Sequence, residues 1–134
     1  MSLDGRVGIV LVSHSAALAE GAAELATQVS GGAVAVIPAG GTDDGRLGTS
    51  AAKVTRAVKL ANGGAGVLIV PDLGSAVLTV RALLGEPGEL PAQVEIADAP
   101  FVEGVVAATV TAAGGGDIKA VLAAAEEARH ARKL

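Results

Sequence analysis

Four short apolar runs, separated by helical patterns, constrain the fold of this chain more than any other feature. The runs cover residues 7–12, 33–37, 66–70 and 93–97, and they are nearly continuous in apolar residues rather than alternating. Continuous apolar strands are typical of parallel sheets with helices on both faces. The pattern therefore predicts an α/β fold, an open and mainly parallel β-sheet with helices on both faces and right-handed crossovers.

Five helical patterns connect or follow these runs, over residues 16–29, 51–61, 76–84, 101–112 and 118–132. Apolar residues that recur at helical spacing predict which faces pack on the sheet. The predicted inward residues are Leu18, Ala22, Leu25 and Val29 in the first pattern, Val54, Val58 and Ala61 in the second, Val77, Val80 and Leu84 in the third, and Ile118, Val121, Leu122 and Ala125 in the last.

Length and composition narrow the class of protein. The 134 residues suit a single domain over 1–134, and neither a linker nor an internal repeat interrupts them. With a net charge of -4 and Phe101 as the only aromatic residue, we expect no nucleic-acid partner. No apolar run reaches the ~20 residues that span a bilayer, and the first is too short for a signal peptide. We expect a cytoplasmic protein without membrane insertion. The absence of cysteine excludes disulfides and thiolate metal sites.

Three polar stretches follow three of the predicted strands. They are Ser13-His14-Ser15, the glycine-rich residues 40–50, and residues 72–75. In open parallel sheets, ligands bind outside the carboxyl ends of the strands. We therefore expect these stretches to share one rim and to form the functional site.

His14 is placed at the N-terminus of the first helix. The positive end of the helix dipole opposes protonation of the ring there and favours an anion. A neutral imidazole can act as a nucleophile, a base or a metal ligand, and the position does not choose among them. The alternative is that His14 only caps the helix.

Asp72 takes the matching position after the third strand. If the first and third strands are neighbours, its carboxylate can accept the Nδ1 proton of His14 and leave Nε2 with a free lone pair. The alternative is that Asp72 caps the third helix or closes a turn.

Two other groups of polar residues favour ordinary structural roles. The loop over residues 40–50 lacks the Gly-Lys-Ser/Thr ending of a P-loop, and no G-x-G-x-x-G follows a strand. Asp43 and Asp44 fit a turn, leave a substrate or partner contact open, and lack a third carboxylate that would favour Mg²⁺. His130 lies in a charged tail that we expect to be a solvated helix end. We predict neither a metal nor a cofactor.

Four stretches in order carry a resemblance to a known family: IVLVSHSAALAEG, PAGGTDDGRLGTS, PDLGSA and APFVEGVVAATVTAAGG. The chain resembles mannose-type enzyme IIA domains of the phosphotransferase system, and in particular the phosphotransferase subunits of phosphoenolpyruvate-dependent dihydroxyacetone kinases. The resemblance implies a cytoplasmic phosphocarrier without a cofactor. It also implies a homodimer in which a C-terminal edge strand near residues 100–104 is exchanged.

The resemblance further implies a role for each matching residue. His14 would accept a phosphoryl group on Nε2 from the phosphocarrier protein HPr, and Asp72 would orient its ring. The phosphoryl oxygens would be bound by Ser15, Gly74, Ser75 and Ala76, and Thr42, Gly48 and Thr49 would line the docking rim. The acceptor would be ADP on the ADP-binding subunit of the kinase, which phosphorylates dihydroxyacetone on a third, dihydroxyacetone-binding subunit. Some relatives carry fused HPr-like and enzyme I-like domains, and we expect separate proteins to supply those activities here.

Three alternatives remain open at this stage. One is the IIA component of a mannose-type sugar transporter, because the same domain serves both acceptors. Another is a small tetrapyrrole metal chelatase, which would need a second histidine ligand; only His130 is present, and we expect it to lie away from the rim. The last is an anion-binding module in which His14 is never phosphorylated.

Overall fold

A four-stranded sheet forms the centre of the protein, as given by a computed structural model that describes residues 5–88, 90, 91 and 93–134. The strands lie in the order β2-β1-β3-β4, and all neighbouring pairs are parallel. The predicted α/β class is confirmed. The strands are Gly8–Ser13 (β1), Val36–Gly40 (β2), Val67–Pro71 (β3) and Val94–Ile96 (β4); the helices are Ala16–Val29 (α1), Ala51–Ala61 (α2), Gly74–Leu84 (α3), Phe101–Ala113 (α4) and Ile118–Glu127 (α5), before a 3₁₀ turn over Ala128–His130.

Two apolar cores lie on opposite faces of the sheet. Successive strand side chains point to opposite faces, so Ile9 and Leu11 pack with α1, α4 and α5 while Val10 and Val12 pack with α2 and α3. Every residue of β1 and β3 is buried as a result. This double burial is why the strands are continuous in apolar residues.

The second strand lies three residues later than predicted, at Val36–Gly40 instead of 33–37. The predicted strand ends at Ile37, one residue before Pro38, which has no N–H to donate to a ladder. β2 is an edge strand, and Ala35 receives the Ile9 N–H on the side facing β1. Pro38 then faces the open edge, where no ladder N–H is needed. The other three strands begin one residue later than predicted.

The predicted inward face of α1 is wrong. Ala22 is buried as expected, but the other buried residues are Ala19, Ala23 and Ala26. The larger Leu18, Leu25 and Val29 are each about half exposed. The helix packs closely: a Cβ added to Gly40 would overlap the Ser15 carbonyl and crowd the Ala19 side chain. At this point there is no room for a side chain larger than that of Ala19, which favours alanine on the inward face at the start of the helix.

The remaining helices agree better with the predicted faces. In α2, Val54, Val58 and Ala61 are buried as predicted, and in α5 Val121 and Ala125 are buried with Ile118 and Leu122 packed beside them. In α3, Val80 is buried, but its buried neighbours are Ala76 and Leu83 instead of Val77 and Leu84.

Several boundaries change at the carboxyl edge. α3 begins two residues earlier than predicted, and α5 gives way to the 3₁₀ turn at Ala128 although the pattern extended to 132. The prediction of a strand near residues 100–104 is wrong, because Pro100 is the N-cap of α4 and the helix begins at Phe101. Within the described ranges, no helix is both long enough and apolar enough to cross a membrane.

Candidate functional site

The strand order places His14 and Asp72 side by side. His14 directly follows β1 and Asp72 directly follows β3, and these two strands pair in the middle of the sheet. The chain leaves β1 towards β2 on one side and later enters β3 on the other. A crevice of this kind, where the strand order reverses, is where open α/β sheets bind ligands.

The ring of His14 is held by the Asp72 carboxylate. Nδ1 lies 3.0 Å from Oδ1, and the backbone N–H of His14 donates to Oδ2 at 3.1 Å. The Asp72 side chain is 8% exposed and that of His14 26%, so the contact is sheltered while the ring stays accessible. This is the contact that adjacency of the first and third strands predicts.

The carboxylate of Asp72 accepts four hydrogen bonds. Besides the two from His14, it receives the Leu73 N–H at 2.7 Å on Oδ1 and the Ser13 hydroxyl at 2.9 Å on Oδ2. Burial, the largest single influence, acts to raise the pKa of Asp72, but these hydrogen bonds together outweigh it and lower the pKa below its ordinary value. The carboxylate is therefore ionised at neutral pH. It has no proton to donate, so the proton of the Nδ1 contact belongs to the ring.

This proton assignment leaves Nε2 as the nitrogen with a free lone pair. The Ser75 Oγ lies 2.6 Å from Nε2, and in the neutral ring with its proton on Nδ1 the hydroxyl donates to this nitrogen. Ser75 is the second residue of α3, where the N–H groups of Gly74 and Ser75 have no hydrogen-bond partner among the described residues. Nε2 thus points at a helix N-terminus, an arrangement that favours an anion next to a nucleophilic nitrogen.

Two of the residues expected to bind phosphoryl oxygens have their N–H groups already engaged. Ala76 donates its N–H to the Leu73 carbonyl at 3.0 Å, which closes the first turn of α3, and its contact with a phosphoryl group stays a prediction. The Ser15 N–H donates to the Ser13 Oγ at 3.0 Å, and the Ser15 hydroxyl caps α1 by accepting from Leu18. Among the described residues of this first turn, the N–H groups without a partner are those of Gly74 and Ser75, and the Ser15 hydroxyl keeps its own proton to donate.

The loop between β2 and α2 supports the site from the other side. The Gly48 N–H donates to the His14 carbonyl at 2.9 Å, and Thr49 forms an isolated bridge with Gly41. Thr42 closes the loop onto Arg46, and its N–H donates to the Arg46 carbonyl at 2.8 Å. The three predicted rim residues, Thr42, Gly48 and Thr49, therefore lie in one loop that contacts the backbone of His14.

The two loop carboxylates serve the loop itself. Asp43 accepts from the Ser50 hydroxyl at 2.6 Å, and Asp44 forms an ion pair with Arg46 at 2.8 Å. Hydrogen bonds from the Thr42 hydroxyl and then from Arg46 lower the pKa of Asp44. No group of three histidine or acidic side chains that could hold a metal occurs within the described part of the chain.

The position of His130 differs from the sequence expectation. The 3₁₀ turn that contains it lies at the same rim, because Arg129 bonds the Asp98 carbonyl and pairs with its carboxylate at 3.4 Å, just after β4. His130 borders a shallow cavity with Asp98, Glu126 and Glu127. It therefore lies beside the carboxyl end of the edge strand, whereas His14 follows a central strand.

One side chain of the site received no role from the sequence. Ser13 is fully buried at the end of β1 and contacts both Asp72 and Ser15. A polar residue that ends an otherwise apolar buried strand is the signal that points to it.

Comparison with known proteins identifies the class to which this fold and site belong. The family model EIIA-man, described as the PTS system fructose IIA component, matches residues 8–122. The chain belongs to this family of phosphotransferase-system IIA domains, as its sequence predicted. A solved crystal structure of a protein of unknown function, EF1359, has a TM-score of 0.79 and 33% identity, and the match covers 91% of this chain and 94% of that one.

The two curated relatives described next are both subunits of dihydroxyacetone kinases. The phosphoryl donor subunit DhaM of the phosphoenolpyruvate-dependent dihydroxyacetone kinase from Escherichia coli is 40% identical over 131 residues. This match covers 95% of the chain but only 28% of that relative. A DhaM subunit of Listeria innocua is 39% identical over 105 residues, which cover 78% of this chain and 84% of that protein.

Proposed function

We propose that this chain is a histidine phosphocarrier that accepts a phosphoryl group on Nε2 of His14. The observation that carries the proposal is the pair of contacts on the imidazole, with Nδ1 against Asp72 and Nε2 aimed at the first turn of α3. A ring fixed in this way has its lone pair where an incoming phosphoryl group would meet the N–H groups of Gly74 and Ser75.

In the first transfer, the Nε2 lone pair attacks the phosphorus of a phosphohistidine on the donor. The phosphorus–nitrogen bond of the donor breaks, and its electron pair returns to the ring of the donor. The His14 ring then carries phosphorus on Nε2 and hydrogen on Nδ1, so it bears a positive charge. Asp72 stabilises that charge through Nδ1, and the Ser75 hydroxyl is freed to donate to a phosphoryl oxygen.

We propose HPr as the donor and ADP on the ADP-binding subunit of a dihydroxyacetone kinase as the acceptor. The names of the curated relatives, phosphoryl donor subunits of that kinase, support this acceptor. An oxygen of the ADP β-phosphate attacks the phosphorus, the bond to Nε2 breaks, and the electron pair returns to His14. The ATP formed on that subunit then phosphorylates dihydroxyacetone, and the carrier returns to its starting state. We further propose that the chain acts as one domain, in the cytoplasm and as a homodimer, as the family resemblance implies.

A sugar-transport IIA component is the second candidate, because the family model is described as a fructose IIA component. The donor and the reactive nitrogen are the same in both proposals. Only the acceptor protein differs.

The test is phosphorylation of the purified chain by phosphoenolpyruvate, enzyme I and HPr, followed by intact mass and acid lability. We expect one acid-labile phosphoryl group on the wild type and on His130→Gln, and none on His14→Gln. Labelling of His14→Gln would overturn the site, and no labelling of the wild type by a verified donor would overturn the function. Incubation of the labelled chain with ADP and the kinase subunits, or with a sugar-transporter IIB component, then separates the two acceptors.

A further inference from the structure

Ser13 is the one polar residue of the site that is fully buried among the described residues. Ser13 is 0% exposed, and only Thr109 shares this property among the described polar residues. The Thr109 hydroxyl donates to a carbonyl of its own helix, that of Val105, which is a local structural bond. The Ser13 hydroxyl instead joins two elements, the first turn of α1 and the residue that follows β3.

The direction of both Ser13 hydrogen bonds is determined by their partners. The Ser15 backbone N–H can only donate, so the Ser13 oxygen accepts from it at 3.0 Å. The ionised Asp72 carboxylate can only accept, so the single hydroxyl proton of Ser13 goes to Oδ2 at 2.9 Å. The serine therefore connects the positive end of the α1 dipole to the carboxylate.

The carboxylate needs this bond to keep its orientation. On Oδ1 it has the Leu73 N–H at 2.7 Å and the His14 ring at 3.0 Å. On Oδ2 it has the His14 N–H at 3.1 Å, and Ser13 is the one side chain that donates there within the described part of the chain. Without the hydroxyl, Oδ2 would keep a single donor, and the carboxylate plane could rotate away from the ring.

We propose that Ser13 is a positioning residue for phosphoryl transfer: it holds Asp72 so that Oδ1 stays on Nδ1 of His14 and the ring keeps its lone pair on Nε2. The inference rests on the proposed function of His14 and assigns a role to a side chain that does not touch the phosphoryl group. A purely structural serine would affect the stability of the fold but would leave the ring tautomer as it is.

The test uses Ser13→Ala, the rescue variant Ser13→Thr and the control Ser30→Ala. Ser30 also lies next to α1, and its hydroxyl donates to the Thr27 carbonyl at the far end of that helix. The first readout is the ¹⁵N spectrum of the His14 ring, which reports the nitrogen that carries the proton. The second is the rate of phosphoryl acceptance from phosphorylated HPr.

We expect Ser13→Ala to raise the population of the tautomer protonated on Nε2 and to slow acceptance about 10- to 100-fold, the range for loss of one hydrogen bond to a charged group. Ser13→Thr keeps the hydroxyl and should recover the wild-type tautomer, and Ser30→Ala should match the wild type in both readouts. A folded Ser13→Ala with an unchanged tautomer and rate overturns the proposal.

The variant could fail to fold, or the wild type could fail to be phosphorylated, and each result has its own measurement. If Ser13→Ala does not fold, Ser13→Cys, which has a similar shape but is a weak donor, takes its place with the same expected tautomer shift. The ring spectrum needs no donor protein, so failure of wild-type phosphorylation refutes the carrier function while the tautomer readout still decides the role of Ser13.

Discussion

Replacing Asp72 by asparagine isolates the electrostatic part of the site. The amide has nearly the same shape as the carboxylate, but it carries no charge and has only one acceptor oxygen. The wild-type carboxylate meets two donors on each oxygen, including the Leu73 N–H and the Ser13 hydroxyl. An amide must therefore turn its NH₂ towards one of these pairs. If the NH₂ faces Nδ1 of His14, the ring proton moves to Nε2 and the nucleophile is lost.

The size of the effect follows from charge and tautomer. Unit charges about 4 Å apart attract by about 4 kcal/mol at an effective dielectric constant of about 20, and the Asp72 to His14 contact of 3.0 Å lies in this range. With about half of the ring charge developed in the transition state, the loss is about 2 kcal/mol, or about 30-fold in rate. The wrong tautomer adds a further factor; in a hydrolase triad the equivalent change costs about 10⁴-fold. The triad figure combines both losses, so we expect acceptance to slow by about 10³-fold, between about 30-fold for the charge alone and about 10⁴-fold.

The assay is rapid-quench phosphorylation by a saturating concentration of phosphorylated HPr, with intact mass as the readout. Asp98→Asn is the matched control, because Asp98 follows the neighbouring strand β4 and pairs with Arg129 but does not touch His14. We expect this control to remain at the wild-type rate. A rate for Asp72→Asn within about threefold of the wild type would refute the reasoning and leave Asp72 as a structural cap.

Three further predictions concern stability and are measured by chemical denaturation. Because the pKa of Asp72 is lowered in the folded state, its carboxylate stabilises the fold above the ordinary value of 3.8 and loses this effect as the pH falls through the lowered pKa. The difference in unfolding free energy between wild type and Asp72→Asn should therefore shrink as the pH falls below 3.8. A difference that stays constant would contradict the lowered pKa. Gly40→Ala should cost about 1–3 kcal/mol because its Cβ would overlap the first turn of α1, whereas Gly21→Ala, with open space in the same helix, should stabilise by about 0.5–1 kcal/mol. Leu25→Gln should change stability by less than about 0.5 kcal/mol, but Ala26→Leu should lower it by about 1–3 kcal/mol, and the reverse order would restore the predicted face of α1.

The class of fold and the position of the site were predictable because they depend on local patterns. Continuous apolar runs separated by helical patterns indicate parallel strands, and parallel strands bring their carboxyl ends to one edge. His14 and Asp72 could be assigned to that edge from their places in the chain alone. The family motifs then added the roles that we propose for the residues around them, such as Gly74 and Ser75.

The errors arose where packing distance or hydrogen-bond direction decides. The inward face of α1 consists of alanines, and at its start the close approach of Gly40 leaves room for no larger side chain; the period of apolar residues does not show such a distance. The sequence also gives no sign that the Ala76 N–H closes the first turn of α3 on the Leu73 carbonyl. The place of the C-terminal turn depends on Arg129 reaching Asp98, a contact between residues distant in the chain.

The sequence by itself determined the alternation of strands and helices, the rim that carries His14, and the family. These properties depend on the period of apolar residues and on short motifs, and both are local in the chain. The tertiary structure decided that β1 and β3 are neighbours, that Ser13 donates a hydrogen bond to Asp72 beside the His14 ring, and that Nε2 of His14 faces α3. Such contacts join residues about 60 positions apart, so only the folded backbone brings them within hydrogen-bond distance.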